Sequence, residues 1–259
     1  MKVIKDLECI IMFCEEPTYL YCLESVKAQT FQPKRIVRIE NVTPINESIN
    51  ARHEAMELAY SVKVDADMFL YPECFEKLYR QFEAIDMDKL NKYYAVTGML
   101  LDPFIGKMGA IHMEKTDLVR RVIVEDMIGC DRILREKMKK RGYHIFELPS
   151  IVGEHWCDYS AEAIFKRHIR VGQKHFYYRD KHHEDWVRNI GKLWVENKND
   201  SAFLALLGYC FGLLTPDDTE KGLRFMEEEW AAVEELIRDG VLPKPKQLWS
   251  LRDKSTTQS

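Results

Sequence analysis

The sequence predicts an α/β fold, with a mostly parallel sheet flanked by helices and a helical extension after it in the chain. As far as about residue 156, short apolar runs of strand type alternate with longer runs whose apolar residues recur at helical spacing. That alternation is typical of parallel sheets covered by helices on both faces. Beyond about residue 158 every segment has the helical pattern. We therefore expect one domain over residues 1–158 and a helical extension over residues 159–259.

The first half of the alternation contains three strands and two helices. Apolar runs predict strands at LECIIMF, KRIVRIEN and SVKV. Between the first two strands lies TYLYCLESVKAQ, in which Leu20, Leu23 and Val26 share one helical face. The second helix is SINARHEAMELAY, for which Ser48 or Asn50 is the predicted N-cap.

The second half adds two helices and two strands before the extension. Pro72 opens the helix PECFEKLYRQFEAI, because the first turn of a helix has no use for the N–H that proline lacks. YYAVTGMLL follows as a strand, DRILREKMKKRGY is a helix ended by Gly142, and HIFELP is the last strand. The extension contains four helical segments, SAEAIFKRHIRVGQKHFYYRD, DWVRNIGKLWVEN, SAFLALLGYCFGLL and TEKGLRFMEEEWAAVEELIRDG. We expect the polar tail RDKSTTQS to be disordered.

Composition and charge exclude several classes of protein. The net charge of −4 and the pI of about 6.1 give no reason to expect a nucleic-acid partner. The apolar run near the N-terminus is too short for a signal peptide, and Ala202–Leu214 is too short to span a bilayer. The latter run is typical of a core helix, with dimer contact or shallow membrane contact as alternatives. Seven scattered cysteines indicate reduced thiols and hence a cytoplasmic protein, with peripheral membrane attachment as a variant.

Glycine-rich nucleotide-binding loops are excluded as well. No glycine precedes Gly98, so the first strand–helix turn carries neither G-x-G-x-x-G nor a P-loop. If this sheet binds a nucleotide, the phosphates must be neutralised in another way.

Asp65 and Asp67 directly follow the strand SVKV, at the edge where such sheets bind ligands. Two carboxylates about 4 Å apart repel by about 4 kcal/mol unless a cation or water intervenes. A hard divalent cation accepts carboxylate oxygens together with substrate phosphates. Since residues i and i+2 of an extended segment point the same way, both could face one ion, or one could hold the ion and the other a sugar hydroxyl. The alternative is a turn or helix cap at Asp67, with Asp65 solvated.

Three stretches of the sequence resemble the inverting family 2 glycosyltransferases of the GT-A fold. CLESVKAQTFQPKRIVRIEN is similar to that family's first helix and second strand, and NARHEAMELAYSVKVDADMFLYPECFEKL to its N-x-A-R…D-A-D stretch. CDRILREKMKKRGYHIFELP is similar to its E-D-x-x-L…R…G-Y-x-I…P helix and strand. The matches cover about residues 8–156 in the family's order. The resemblance implies a Rossmann-like GT-A sheet and a hexosyltransferase-type enzyme.

The resemblance assigns roles to residues at the strand ends. It implies that Asp65 and Asp67 bind Mn²⁺ or Mg²⁺ on the donor's diphosphate, with His155 as a third metal ligand. Structural packing is the alternative for His155, and Trp156 beside it would stack on a sugar or pack against the helical extension. The other residues implied in donor binding are Cys14, Glu16, Glu40, Asn41, Arg52, Asp65 and Ala66. An exposed helix position is the alternative for Arg52.

The implied catalytic base is an aspartate at a fixed distance before the helix-ending Gly142. Counting back along the helix gives Asp131, which follows Cys130 where the family has glutamate. The literal Glu-Asp pair ends at Asp126, five residues earlier, and this residue is the alternative base. A positioned carboxylate accepts the proton that an acceptor hydroxyl loses as it attacks. A plain N-cap is the structural alternative for Asp131.

These features together predict a metal-dependent inverting glycosyltransferase. The implied partners are a nucleotide-diphosphate sugar, with UDP-sugars favoured, and a sugar, glycan or lipid-linked acceptor; homo-oligomer contact is a further alternative. Two other functions compete: a degenerate nucleotide-sugar-binding protein of the same fold, and a sugar nucleotidyltransferase. In the extension, Lys166, Arg170 and Lys174 are spaced four apart, which predicts a solvated helix face or a grip on an anion such as a phosphate or lipid headgroup.

Overall fold

The computed structural model separates into two compact units, Met1–Cys157 and Asp158–Ser259. The expected tail RDKSTTQS lies outside the described residues. The structure describes residues 1–85, 92–102, 104, 106–156, 160–179, 181–197, 199–217 and 226–243.

The first unit is built on a seven-stranded sheet. Its strands are β1 (Lys2–Phe13), β2 (Phe31–Glu40), β3 (Tyr60–Asp65), β4 (Met68–Leu70), β5 (Tyr93–Asp102), β6 (Gly106–Lys115) and β7 (His144–His155). They lie in the order β2-β1-β3-β6-β5-β7-β4. β1 is parallel to β2 and β3, and β5 is parallel to β7, which confirms the predicted mostly parallel sheet. β6 and β4, which the sequence did not predict, are antiparallel to their neighbours.

In the described part of the first unit, five helices cover the two faces of this sheet. They are α1 (Tyr19–Lys27), α2 (Ile45–Ala55), α3 (Cys74–Ala84), the short α4 (Thr116–Val119) and α5 (Cys130–Lys140). The predicted N-cap of the second helix is wrong, since α2 begins earlier, after Pro44, and has no side-chain cap. Asn50 instead lies within α2 and exchanges two hydrogen bonds with the backbone of Val124, at 2.9 and 3.0 Å. The predicted end of α5 is confirmed, because Gly142 follows with a φ of +84°.

Strand direction and register bring the ends of several strands to one edge of the sheet. Phe13 pairs with Glu40, and Met12 pairs with Asp65, so β1, β2 and β3 end side by side. β5 and β7 run in the same direction as these three, because β6 is antiparallel to both β3 and β5. We call the edge where these five strands end the carboxyl edge.

Arg52 is buried behind the sheet rather than presented at the carboxyl edge. Its side chain is 1% exposed and donates to the Glu114 carboxylate of β6 at 2.6 Å. Burial alone would raise the pKa of Glu114, but the adjacent guanidinium holds that pKa below its ordinary value. The donor-binding role expected for Arg52 is therefore corrected. The residue faces inward because α2 packs on β1 and β2, and its guanidinium neutralises a buried acid of β6.

His53 belongs to the same buried group. Its Nδ1–H donates to the Val122 carbonyl at 2.7 Å, and its Nε2 accepts from Arg52 at 3.0 Å. Burial, and then the charge of Arg52, lower the pKa of His53 to about 4. The ring is therefore neutral in the folded protein at neutral pH.

The second unit is helical, and its apolar helix forms the core of that unit. The helices are α6 (Ala161–Tyr178), α7 (Lys181–Asn197), α8 (Asp200–Leu214) and α9 (Glu227–Arg238). α8 packs backbone to backbone on α6 through Gly172, Gly208 and Gly212, where an added Cβ would collide with carbonyl oxygens of the facing helix. None of the helices in the described residues has the length and apolar character needed to cross a membrane.

The basic face expected on α6 is not a solvated surface at two of its three positions. Lys166 is 3% exposed and pairs with Glu162 at 2.6 Å and Glu227 at 2.7 Å. Arg170 is also buried and donates to Gln173 at 3.0 Å. Spacing four apart placed these residues on one face, but that face packs inside the unit.

Acid should weaken the fold through His53. In the unfolded chain this imidazole binds a proton below about pH 6.5, whereas in the folded chain it does so only below about pH 4. The unfolded state therefore binds more protons in this window, and stability falls as the pH drops through it, by on the order of 2 to 3 kcal/mol at pH 4.5. His53→Asn, which keeps a donor for Val122, should lose this dependence. Chemical denaturation at pH 7 and pH 4.5 checks it; a difference between wild type and variant that does not change with pH contradicts the assignment.

The glycine contact between α6 and α8 gives a matched pair of substitutions. Gly172→Ala places a methyl group against the Tyr209 carbonyl and should destabilise the chain by about 1–3 kcal/mol. Gly191→Ala in α7 meets no atom within 4 Å and should stabilise by about 0.5–1 kcal/mol through helix propensity. Thermal unfolding of both variants checks the packing, and equal shifts of the same sign would contradict it.

Candidate functional site

The turn after β3 is fixed by hydrogen bonds at Ala66. Its N–H donates to the Met12 carbonyl of β1 at 2.9 Å, and its carbonyl accepts from the Thr18 hydroxyl, just before α1, at 3.0 Å. Ala66 itself is fully buried. Because the middle residue is held from two sides, the positions of Asp65 and Asp67 on either side of it are determined by the sheet.

The two aspartates have different partners. The extended strand ends at Asp65, and Ala66 and Asp67 form a turn, so the geometry that would point both carboxylates the same way does not continue. The Asp65 carboxylate accepts from Lys63 at 2.7 Å and is about one-third exposed. Asp67 instead reaches the end of β7, where its carboxylate lies 3.1 Å from Nε2 of His155.

His155 bridges two carboxylates that come from opposite sides. Its Nε2 faces Asp67, and its Nδ1 lies 2.8 Å from the carboxylate of Asp102. Asp102 is the last residue of β5, and its second oxygen accepts the backbone N–H of Phe104 at 2.8 Å. The exposed side-chain fractions are 21% for Asp67, 13% for His155 and 2% for Asp102, so the chain of groups runs from the surface into the protein.

This arrangement has the chemistry of a cation site. A neutral imidazole has one N–H, and Asp102 can accept it at Nδ1, which leaves the Nε2 lone pair facing the Asp67 carboxylate. Two electron-pair donors facing each other are stabilised by a proton or a metal ion between them. Metal-binding histidines usually donate their other N–H to a carboxylate or carbonyl. Asp67 and His155 therefore fit a divalent cation.

In the described parts of the chain, no three His, Cys, Asp or Glu side chains converge as a preformed metal site. Asp67, His155 and Asp102 form a line rather than a cluster. Divalent cations that work with phosphates commonly take one or two protein ligands and complete their shell with substrate oxygens and water. Two protein ligands at an open edge match that pattern.

β4 is the element that brings Asp67 to His155. Met68 pairs with His155 across the β4–β7 ladder, and the Trp156 N–H donates to the Asp67 carbonyl. Gly153 makes the close pairing feasible, since a Cβ there would lie 2.5 Å from the carbonyl oxygen of Phe69. The short strand β4 therefore connects the turn after β3 to the carboxyl end of β7.

Glu16 adds a fourth carboxylate, after those of Asp65, Asp67 and Asp102. It follows β1 and accepts the backbone N–H of Cys14. Burial raises the pKa of Glu16, and the nearby charges of Asp67 and Asp65 raise it further. Burial, followed by the same aspartates, also raises the pKa of Cys22 in α1. The carboxylates of Glu16, Asp65 and Asp67 make the electrostatic potential here negative, which favours a cation.

The ends of β1 and β2 turn sharply beside this group. Glu15 has a φ of +65° and Asn41 a φ of +53°, in a region that non-glycine residues seldom occupy. Asn41 is held by its N–H, which donates to Phe13 at 2.8 Å, and Glu40 pairs with Arg38. Cys14, Glu16, Glu40 and Asn41 thus lie at the carboxyl edge.

The structure gives the two candidate bases different surroundings. Asp131 lies in the first turn of α5 and is exposed. One turn further on, Arg135 lies 3.3 Å from His112, which is paired with Lys63 two residues before Asp65. The helical turn from Arg135 back to Asp131 is about as long as the two strand residues from Lys63 to Asp65. Asp131 therefore lies toward the carboxyl edge, on the α5 side of the sheet.

Asp126 belongs to the segment that precedes α5. Its neighbour Glu125 accepts from Lys137 at 2.7 Å, and Val124 is bonded to Asn50 of α2. These contacts hold the segment between α2 and α5.

Trp156 packs within the first unit. It stacks on Phe69 with a centroid distance of 4.5 Å and an interplanar angle of 5°, and its indole N–H donates to Glu154 at 2.6 Å. These contacts give Trp156 packing partners on β4 and β7 of the first unit.

Sequence reasoning missed Asp102 and Lys63. The available signal for Asp102 was its position directly after the predicted strand YYAVTGMLL, where a carboxylate reaches the same edge as Asp65. Its partner His155 could not be inferred, because the adjacency of β5 and β7 is a property of the whole sheet.

No protein-family model matches the sequence, and no curated protein matches it. Among solved structures, the chain is similar to the mannosyltransferase PcManGT from Pyrobaculum calidifontis, in complex with GDP-Man and Mn²⁺. The TM-score is 0.52 at 13% identity, over 89% of this chain and 80% of that chain. S. aureus TarS 1-349 gives a TM-score of 0.44 at 10% identity, over 90% of this chain and 92% of that chain.

At sequence identities of 10% and 13%, the similarity concerns the fold alone. Of the two matches, the one to PcManGT supports the fold assignment, because its TM-score is the higher. That match extends over 89% of this chain, the seven-stranded sheet included. The protein therefore has a GT-A-like α/β fold followed by a helical region, as the sequence predicted.

Proposed function

We propose that this protein is a metal-dependent glycosyltransferase of family 2 type that takes a sugar from a nucleotide-diphosphate donor and inverts its anomeric centre. The observation that carries the proposal is the pair Asp67–His155 at the carboxyl edge, with Nε2 of the imidazole and an oxygen of the carboxylate 3.1 Å apart. A GT-A-like fold with a cation-ready pair at this edge suits a donor whose diphosphate needs neutralising.

In this proposal Asp67 and His155 hold Mn²⁺ or Mg²⁺, and Asp65 serves the donor. When bound, the cation acts as a Lewis acid on the departing nucleoside diphosphate, where negative charge develops. Asp65 pairs with Lys63, whereas Asp67 faces His155. The position of Asp65 suits contact with a sugar or ribose hydroxyl. PcManGT, a structural neighbour, was solved with GDP-Man and Mn²⁺, which supports this class of donor and metal.

The nucleoside end of the donor would lie against the ends of β1 and β2. Cys14, Glu16, Glu40 and Asn41 surround that position, and the buried Ala66 forms its floor next to Thr18. Arg52 has no part in it, because it neutralises Glu114 in the interior. We favour a UDP-sugar, in line with the sequence resemblance.

Asp131 is the proposed general base. A carboxylate in the first turn of α5 can accept the proton of an acceptor hydroxyl as the oxygen attacks the anomeric carbon, while the bond to the diphosphate breaks. Asp126 is the alternative. A sugar, glycan or lipid-linked acceptor, a role of residues 159–259 in acceptor binding or self-association, and a cytoplasmic location stay predictions.

Asp67→Asn should weaken Mn²⁺-dependent binding of UDP by at least about tenfold, because the variant removes the negative ligand and leaves His155 alone. Calorimetric titration of UDP with and without Mn²⁺ measures this. Asp117→Asn, on an exposed aspartate of α4, is the matched control and should bind like wild type. Equal affinity in wild type and Asp67→Asn would remove the basis of the proposal.

Asp131→Asn should leave UDP affinity unchanged and lower kcat by about 10²- to 10⁴-fold, since the base acts only as the acceptor loses its proton. Release of UDP from a panel of UDP-sugars, with sugars as acceptors, is the readout. If Asp126→Asn loses kcat while Asp131→Asn keeps it, Asp126 is the base. If wild type binds UDP with Mn²⁺ but turns over no donor, the protein is a nucleotide-sugar-binding relative.

A further inference from the structure

Asp102 is a buried carboxylate whose two oxygens contact different partners. One oxygen accepts the N–H of Phe104, two residues on, which is the hydrogen bond of an Asx turn. That turn leads into β6, where Asp102 itself pairs with Gly106. The second oxygen lies 2.8 Å from Nδ1 of His155.

The position of the second oxygen matters because a ring nitrogen can present either a lone pair or a hydrogen. With Asp102 accepting at Nδ1, the ring hydrogen of a neutral His155 lies on that nitrogen, and Nε2 offers its lone pair toward Asp67. Without an acceptor at Nδ1, the hydrogen can lie on Nε2 and donate to the Asp67 carboxylate. That hydrogen would occupy the place of a cation.

Burial of Asp102 strengthens its constraint on the His155 ring. Asp102 is 2% exposed, so its charge needs partners within the protein, and leaving one oxygen without a donor would be costly. His155 is fixed along the chain by β7, whose last residue it is, and by its register with Met68. The imidazole therefore has a defined ring orientation as well as a defined backbone position.

From these contacts we propose that Asp102 is a positioning residue of the cation site: it sets the orientation and tautomer of His155, so that Nε2 rather than an N–H faces the cation beside Asp67. This inference rests on the proposed function, and it goes beyond it by naming a residue that touches neither metal nor substrate. Outer carboxylates of this kind typically change metal affinity by about 10- to 100-fold.

Asp102→Asn separates this role from a structural one. The amide oxygen can still accept from Phe104, so the turn is kept, whereas the amide N–H₂ now faces Nδ1 and donates to it. The ring hydrogen moves to Nε2. We expect thermal stability near that of wild type, Mn²⁺ affinity in the presence of UDP lowered about 10- to 100-fold, and no such loss in Asp117→Asn.

The readouts are Mn²⁺ binding by electron paramagnetic resonance and the His155 tautomer by proton–nitrogen correlation spectra with Mg²⁺ and UDP. Wild type should show the ring hydrogen on Nδ1, and Asp102→Asn should show it on Nε2. If Asp102→Asn does not fold, Asp102→Ser is the second variant, because its hydroxyl can accept from Phe104 but does not supply a carboxylate.

Each outcome decides between the two proposals. If wild type binds no Mn²⁺ with UDP, the proposed function fails. If wild type binds and the folded Asp102 variants bind equally tightly, the positioning role is overturned while the proposed function stands. Loss of the fold in both variants assigns Asp102 to the turn and also overturns the positioning role.

Discussion

The imidazole of His155, held between the carboxylates of Asp67 and Asp102, is the interaction on which the carboxyl edge depends. Its three members come from the turn after β3 and from the ends of β7 and β5. They meet only because β5 and β7 are adjacent and because β4 returns to pair with β7. The edge is thus assembled by sheet topology, and a change in strand order would disperse it.

The interior of the first unit and its carboxyl edge differ in how far their charges are neutralised. In the interior, Arg52 neutralises Glu114 and the neighbouring His53 is kept uncharged, so the buried polar group is close to balanced. At the carboxyl edge, burial and then the charges of Asp67 and Asp65 raise the pKa of Glu16. The interior arrangement serves stability, while the accumulation of carboxylates at the edge opposes it.

The helical unit is stabilised by a different means. Glycines at the contact of α6 and α8 allow the two backbones to approach, and the buried Lys166 of α6 pairs with Glu162 and Glu227. The apolar run Ala202–Leu214, which the sequence indicated as a core helix, packs in this way because small residues at its contact face allow close helix packing.

Sequence alone determined the alternation of strands and helices and the acidic character of the turn after β3, because apolar periodicity and local turn chemistry are properties of neighbouring residues. It also determined the end of α5 at Gly142. Only the tertiary structure decided the insertion of β6 and β4, the burial of Arg52 and the meeting of Asp102 with His155. These depend on which strands lie side by side, and residues 53 and 88 positions apart are joined by long-range pairing rather than by any local pattern.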